Sequence, residues 1–209
     1  MRRNQAAAAP KALGPTRSAH AATRSHEVRI IGGQWKRTKL AVADQPGLRP
    51  TSDRVRETLF NWLGQDLTGW HCIDVFAGTG ALGFEAASRG ANEVLMIEQS
   101  TPLVAQLKRV QARLEAGAIQ VLRGDGLAAL KRLEPASMDA VFLDPPFDAN
   151  LFETSLQAAS RAVAPDGFVY LEAPRLWTDA ELQGIGLAVC RHLQAGAVHA
   201  HLLKLIQFA

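Results

Sequence analysis

The chain is poor in the residues that build metal centres and disulfide frameworks. Only two cysteines occur in 209 residues, Cys72 and Cys190, far apart and each within or beside an apolar stretch. There is no CxxC pair and no Cys/His cluster, so no metal site is assigned and no disulfide scaffold is expected. Both cysteines read as small buried apolar residues. The six histidines also lack ligand spacing; His199 and His201 share one face of a strand and read as exposed strand positions. No apolar run approaches the ~20 residues needed to span a bilayer, so no membrane partner is expected. Acid is missing altogether from residues 1–26, an Ala/Arg-rich stretch containing Pro10, Gly14 and Pro15. That stretch has no apolar core of the secretory kind. An organellar transit peptide and a disordered bacterial extension both fit it, and the bacterial reading is preferred.

What is present suits one domain with some extra sequence. Hydrophobic residues make up 47% and charged residues 21%, enough for a sizeable core. Net charge is only +3, but it is unevenly spread. Residues 1–60 hold twelve Lys/Arg against four Asp/Glu, leaving an acidic remainder. A basic front on an acidic body points to an anionic partner such as phosphate.

Order is expected to begin near Val28. Val28–Ile31 and Thr38–Val42 are short β-type runs that predict a hairpin across Gly32-Gly33, and Gly47 and Pro50 mark a turn. Thr51–Leu63 then carries apolar residues near helical spacing, with Thr51, Ser52 or Asp53 as cap. From Trp70 onward, strands and helices alternate. Strands are expected at Cys72–Phe76, Glu93–Ile97, Ile119–Leu122, Met138–Leu143 and Phe168–Leu171. Helices fall between them, and two further strands, Gly186–His192 and Val198–Phe208, close the chain. Continuous apolar strands alternating with helices predict an α/β fold with a parallel sheet covered on both faces. Ligands in such folds gather at the carboxyl ends of the strands.

Three strand ends carry nucleotide chemistry. Asp74-Val-Phe76-Ala77-Gly78-Thr-Gly80-Ala-Leu-Gly83 is a Gly-rich turn that lets backbone approach a ligand, followed eighteen residues past Gly80 by Glu98, placed to accept from ribose hydroxyls. Both features serve nicotinamide enzymes equally well. Gly124-Asp125-Gly126 offers either an adenine contact or a plain turn. The fourth strand ends in Asp144-Pro145-Pro146-Phe147. Two prolines stiffen this loop and leave the Pro145 carbonyl free beside the Asp144 carboxylate. Two converging acceptors suit the two hydrogens of an amino group, and Phe147 offers a ring on which a base can stack. A nicotinamide-dependent oxidoreductase leaves this tetrapeptide without a role.

The pairing of the Gly-rich turn with Asp-Pro-Pro-Phe resembles class I methyltransferases acting on base amino groups. More narrowly, Val28–Gly33 with Gln34-Trp35, Leu48–Leu63 and both motifs occur in the order of the RsmD family, bacterial methyltransferases of guanine N2 in 16S rRNA. The resemblance covers residues 28–209. It implies a Rossmann-like, doubly wound, mostly parallel seven-stranded sheet with an antiparallel last strand, plus a small N-terminal hairpin and helix. Residues 1–27 are then a disordered basic tail, 28–64 an extension facing RNA and cofactor, and 65–209 the domain binding S-adenosylmethionine. Asp74, Phe76, Ala77, Gly78, Gly80, Glu98, Asp125, Gly126 and Thr51 are expected at the cofactor, and Asp144, Pro145, Pro146 and Phe147 at the target amine. Arg29, Lys36, Arg37, Arg49, Arg54 and Arg56 are expected on RNA phosphates. The implied partner is 16S rRNA, within a small subunit or assembly intermediate. A cytoplasmic monomer is expected, with an organellar location as the alternative. Adenine N6 remains the rival target, because Asp-Pro-Pro-Phe does not separate the two bases.

Overall fold

The structure is a computed structural model and describes residues 27–41, 51–147 and 149–207. Two three-residue strands, β1 (Glu27–Arg29) and β2 (Lys39–Ala41), pair antiparallel as the expected hairpin. Helix α1 (Asp53–Trp62) follows, with the Ser52 hydroxyl accepting from the Val55 N–H. Then β3 (His71–Asp74), α2 (Ala81–Ser88), β4 (Glu93–Glu98), α3 (Thr101–Arg113), β5 (Ile119–Arg123), α4 (Gly126–Arg132) and β6 (Met138–Leu143) alternate. The chain continues through α5 (Phe152–Ala162), β7 (Val163–Ala173), α6 (Asp179–Gln183), β8 (Leu187–Ala195) and β9 (Val198–Leu205). The tail, Arg49 and the expected turn at Gly47 and Pro50 lie outside the described residues, save that Glu27 already belongs to β1.

Seven strands form one sheet in the order β5-β4-β3-β6-β7-β9-β8. Strands β3 to β7 run parallel, and β9 is antiparallel to both its neighbours. The chain winds outward from β3 through β4 to β5, then returns to lay β6 on the other side of β3. That reversal opens a crevice at the carboxyl ends of β3 and β6, where open α/β sheets bind ligands. On one face of the sheet Phe142 and Tyr170 pack with Phe60 of α1 and Phe84 of α2, and α3 covers the same face. On the opposite face Val141 and Leu171 pack with Leu130 of α4, Leu156 of α5 and Leu182 of α6, together with Trp177.

Two elements depart from the expected pattern. Strand β7 begins at Val163, with the register against β6 shifting between Met138 and Ala140, because Pro165-Asp166-Gly167 is carried inside the strand as an irregularity. Helix α6 has five residues, too few for apolar periodicity; it is defined by a Thr178/Glu181 capping box.

The N-terminal extension docks on α2 through one buried carboxylate. Glu85 accepts from the Ile31 and Gly32 N–H groups at 2.7 Å each, and from Arg89 Nε at 2.9 Å. Arg56 Nη1 approaches its other side at 3.4 Å. Gly33 completes the fit: its φ is +71°, and a Cβ there would sit 1.8 Å from the Ser88 carbonyl oxygen. The expectation that Arg56 contacts RNA is overturned. Its side chain is 0% exposed, and it donates to the Thr51 and Arg29 carbonyls and to Asp53 and Glu85. A guanidinium so occupied has no donor face for phosphate.

Removing one partner of a buried ion pair strands the other charge. Glu85→Ala is therefore expected to destabilise the protein by about 3–5 kcal/mol, measured by urea denaturation; a loss within 1 kcal/mol would show that the clamp contributes little.

Candidate active site

Strand β3 ends at Asp74, and the turn that follows carries the chain into α2. Gly78 and Gly80 have φ of +51° and +81°, and a Cβ on Gly80 would meet Leu107 and Phe84 at 2.6 and 2.7 Å. The sharp turn therefore requires glycine at position 80. Asp74 fastens the turn from below, its Oδ2 accepting from the Gly83 N–H at 3.1 Å. Glu98, at the end of β4, fastens it from the side. One oxygen accepts from the Gly78 N–H at 2.9 Å and the other from the Ser100 N–H at 2.7 Å. Asp125 caps α4 through the Ala128 N–H at 2.7 Å, and its second oxygen accepts from Gln99 Nε2.

Between these turns lies a cavity of about 790 Å³, within the range of small-molecule sites. Thr51, Asp74, Phe76, Ala77, Gly78, Glu98, Gly126 and Asp144 to Phe147 all line it. Gly80 and Asp125 hold the surrounding turns without lining the cavity. Asp144 is half-buried, Pro145 buried, and Phe147 exposed, with its ring tilted against Phe152 at 6.2 Å. The structure thus brings the Gly-rich turn and the Asp-Pro-Pro-Phe loop to one site, with Thr51 across from them on the segment leading into α1.

Arg29 and Arg54 are exposed near the head of α1, and Arg29 lies 3.6 Å from Asp53. Lys36 and Arg37 are exposed in the loop that docks on Ser88 through the Trp35 N–H. They sit at the far end of α2, an eight-residue helix about 12 Å long. His201 also differs from expectation: it is fully buried, its Nε2 accepting from the Trp177 N–H at 3.1 Å. Burial pushes its pKa down to about 4, so it is a neutral core residue.

Sequence inspection missed Glu172. It lies at the end of β7, only 4% exposed, lines the same cavity, and accepts from the Tyr170 hydroxyl at 2.9 Å. The available signal was an acid in the otherwise apolar run Phe168–Ala173. Asp74, Asp144 and Glu172 end three adjacent strands and alternate in step with Cys72, Phe142 and Tyr170, which face the α1 side. Burial, with the charges of Glu98 and Glu172, pushes Asp74 up to about 7 against the opposing Gly83 and Phe76 N–H bonds. Asp144 is raised well above the usual carboxylate range by burial and by Glu172 and Asp74.

A cavity at the strand reversal, bordered by a Gly-rich turn and closed by Asp-Pro-Pro-Phe, is the architecture of a class I methyltransferase. The chain belongs to the RsmD family: the family model described as conserved hypothetical protein 95 matches residues 28–204. Ribosomal RNA small subunit methyltransferase D of Escherichia coli K12 is 42% identical over 151 residues, covering 71% of this chain and 76% of the relative. The Haemophilus influenzae protein of the same name is 40% identical over 181 residues, covering 80% and 94%. A solved Escherichia coli methyltransferase superposes with a TM-score of 0.72 at 34% identity, over 86% of this chain and 98% of its own.

Methyltransferases of this class imply S-adenosylmethionine as methyl donor. The residues present fit that cation: Asp74 and Asp144 supply negative potential, and Ile97, Leu103 and Phe76 supply apolar walls for a purine. A cation favours ionised Asp74, whose protonated form persists to about pH 7. Cofactor affinity is accordingly expected to rise with pH from 5.5 to 7.5, by up to about tenfold per unit below the pKa, and Asp74→Asn should flatten the profile. Calorimetric titration across that range checks this; an equal slope in both proteins would exclude Asp74 as the titrating group. Glu98→Ala is expected to weaken the same binding at least about tenfold, because the Gly78 N–H and the start of α3 lose their common acceptor. Unchanged affinity would remove Glu98 from the cofactor site.

Proposed function

We propose that the chain methylates the exocyclic N2 of a guanine in small-subunit rRNA, at the position numbered 966 in 16S rRNA, using S-adenosylmethionine. The observation that carries this reading is the Asp144–Phe147 loop facing the same cavity as the Gly-rich turn. The names of the relatives support rRNA as the substrate class.

The guanine amine is a poor nucleophile because its lone pair is delocalised into the ring. Asp144 and the Pro145 carbonyl accept its two hydrogens, which favours a pyramidal nitrogen with its lone pair directed across the cavity. Phe147, 39% exposed at the rim, stacks on the base once it has left its helix. Bound S-adenosylmethionine supplies an activated methyl group. The protein's own contribution is position and electrostatics. Positive charge bound beside Asp144 would favour its ionised form over the protonated form that burial and the neighbouring acids favour, and the carboxylate then takes the proton released from the methylated nitrogen. Phosphate contacts fall to exposed Arg29 and Arg54 near the cavity, with Lys36 and Arg37 reaching RNA farther out. The enzyme acts as a cytoplasmic monomer on a small subunit or its assembly intermediate.

Asp144→Ala is expected to lower methyl transfer about 100- to 1000-fold, the scale of losing one preorganised hydrogen-bonding group, with a much smaller loss of cofactor affinity. Radiolabelled methyl transfer alongside calorimetry checks both. Near-normal turnover would refute the assigned role of Asp144.

A further inference from the structure

Asp-Pro-Pro-Phe provides acceptors for an amino group and is indifferent to which base bears it. Guanine and adenine differ at the adjoining ring nitrogen: guanine N1 carries a hydrogen and donates, whereas adenine N1 accepts. Guanine therefore presents three donors along that edge, and a site selective for it needs a third acceptor beside the two that hold the amine.

Glu172 stands where that acceptor is needed. Leu143 of β6 and Leu171 of β7 are register partners, so Asp144 and Glu172 are each one residue beyond the same rung. Neighbouring parallel strands lie about 5 Å apart, and side chains at equivalent positions point to the same face. Both residues line the cavity. Strand β7 lies on the side of β6 away from β3 and the Gly-rich turn, so Glu172 flanks the amine position on the side opposite the cofactor turn. Its carboxylate is also fixed. Tyr170 donates to it at 2.9 Å, the Tyr170 ring packs edge-on against Phe142, and the buried Arg56 guanidinium adds a favourable charge interaction. A carboxylate anchored in this way can discriminate, because it does not swing away from a mismatched base.

Resting on the guanine reading above, we propose that Glu172 is the specificity-determining residue of this site, its carboxylate accepting the N1–H of the target guanine beside the amine held by Asp144 and Pro145. An adenine in the same pose turns its N1 lone pair toward that carboxylate, and two acceptors face each other without a proton between them.

The test compares small-subunit rRNA carrying either guanine or 2-aminopurine at the modified nucleotide. 2-Aminopurine keeps the amine but has an acceptor at N1. The wild-type protein is expected to favour guanine by at least about 100-fold in kcat/KM, since a site built for a donor rejects an analogue lacking it. Glu172→Gln, whose amide can donate to an N1 acceptor, is expected to cut that preference at least about tenfold, and because both substrates are compared at the same saturating cofactor, any change in cofactor affinity cancels from the ratio. If Glu172→Gln slows both substrates alike and leaves the ratio unchanged, the residue is structural and the proposal is overturned. Wild-type protein that methylates 2-aminopurine as readily as guanine overturns it without reference to any variant. A wild-type product of N6-methyladenosine instead overturns the guanine reading itself, and the Glu172 assignment falls with it.

Discussion

Asp74, Asp144 and Glu172 end three adjacent parallel strands on one face of the sheet, and holding three acids together, Asp74 and Glu172 buried and Asp144 half-buried, is the constraint around which the rest of the site is arranged. Part of the cost is met by protons. Asp74 titrates near 7 and Asp144 is raised well above its ordinary range, so the protein retains acid protons that an unfolded chain releases near pH 4. Stability associated with Asp74 is consequently lost as pH rises from about 4 to about 7. Another part is met by Arg56, a buried cation whose charge interacts with Glu172. Arg56 in turn is held by Glu85, Asp53 and two backbone carbonyls, and Glu85 also anchors the N-terminal extension. The small hairpin is thereby tied mechanically to the electrostatics of the cavity. A ligand carrying positive charge would relieve the same electrostatic cost.

The main architecture was legible in the sequence because its strongest signals are periodic. Apolar strands alternating with amphipathic helices required a parallel sheet, and the Gly-rich turn and Asp-Pro-Pro-Phe fall where such sheets bind ligands. Positions defined by local chemistry rather than period were harder to see. Helix α6 rests on one capping box, and β7 absorbs a Pro-Asp-Gly that ordinarily signals a loop. Long-range pairing was invisible. Arg56 looks like its exposed neighbour Arg54 in sequence, and only the fold reveals Glu85, twenty-nine residues away, against it. Glu172 was missed for a related reason: a single acid in an apolar strand acquires meaning only when β7 is laid beside β6 and the two strand ends come level.

The distribution of charge suggests how a large anionic substrate approaches an acidic pocket. Exposed arginines stand near the head of α1, outside the cavity, while the acids line its interior. Phosphates are therefore attracted to the rim and repelled from the interior, where only a base and a cation are wanted. On the proposed guanine reading, a nucleotide extruded from its helix satisfies both demands, presenting its backbone to the rim and its donor edge to the acids.

The central claim is that this acid-lined site methylates a guanine amine. The measurement that tests it most directly is transfer of labelled methyl groups from S-adenosylmethionine to unmodified small-subunit rRNA and to partly assembled subunits, followed by mass analysis of the product nucleosides. N2-methylguanosine at a single position is the predicted result. Absence of label from both substrates, or label recovered in any nucleoside other than N2-methylguanosine, would contradict the account.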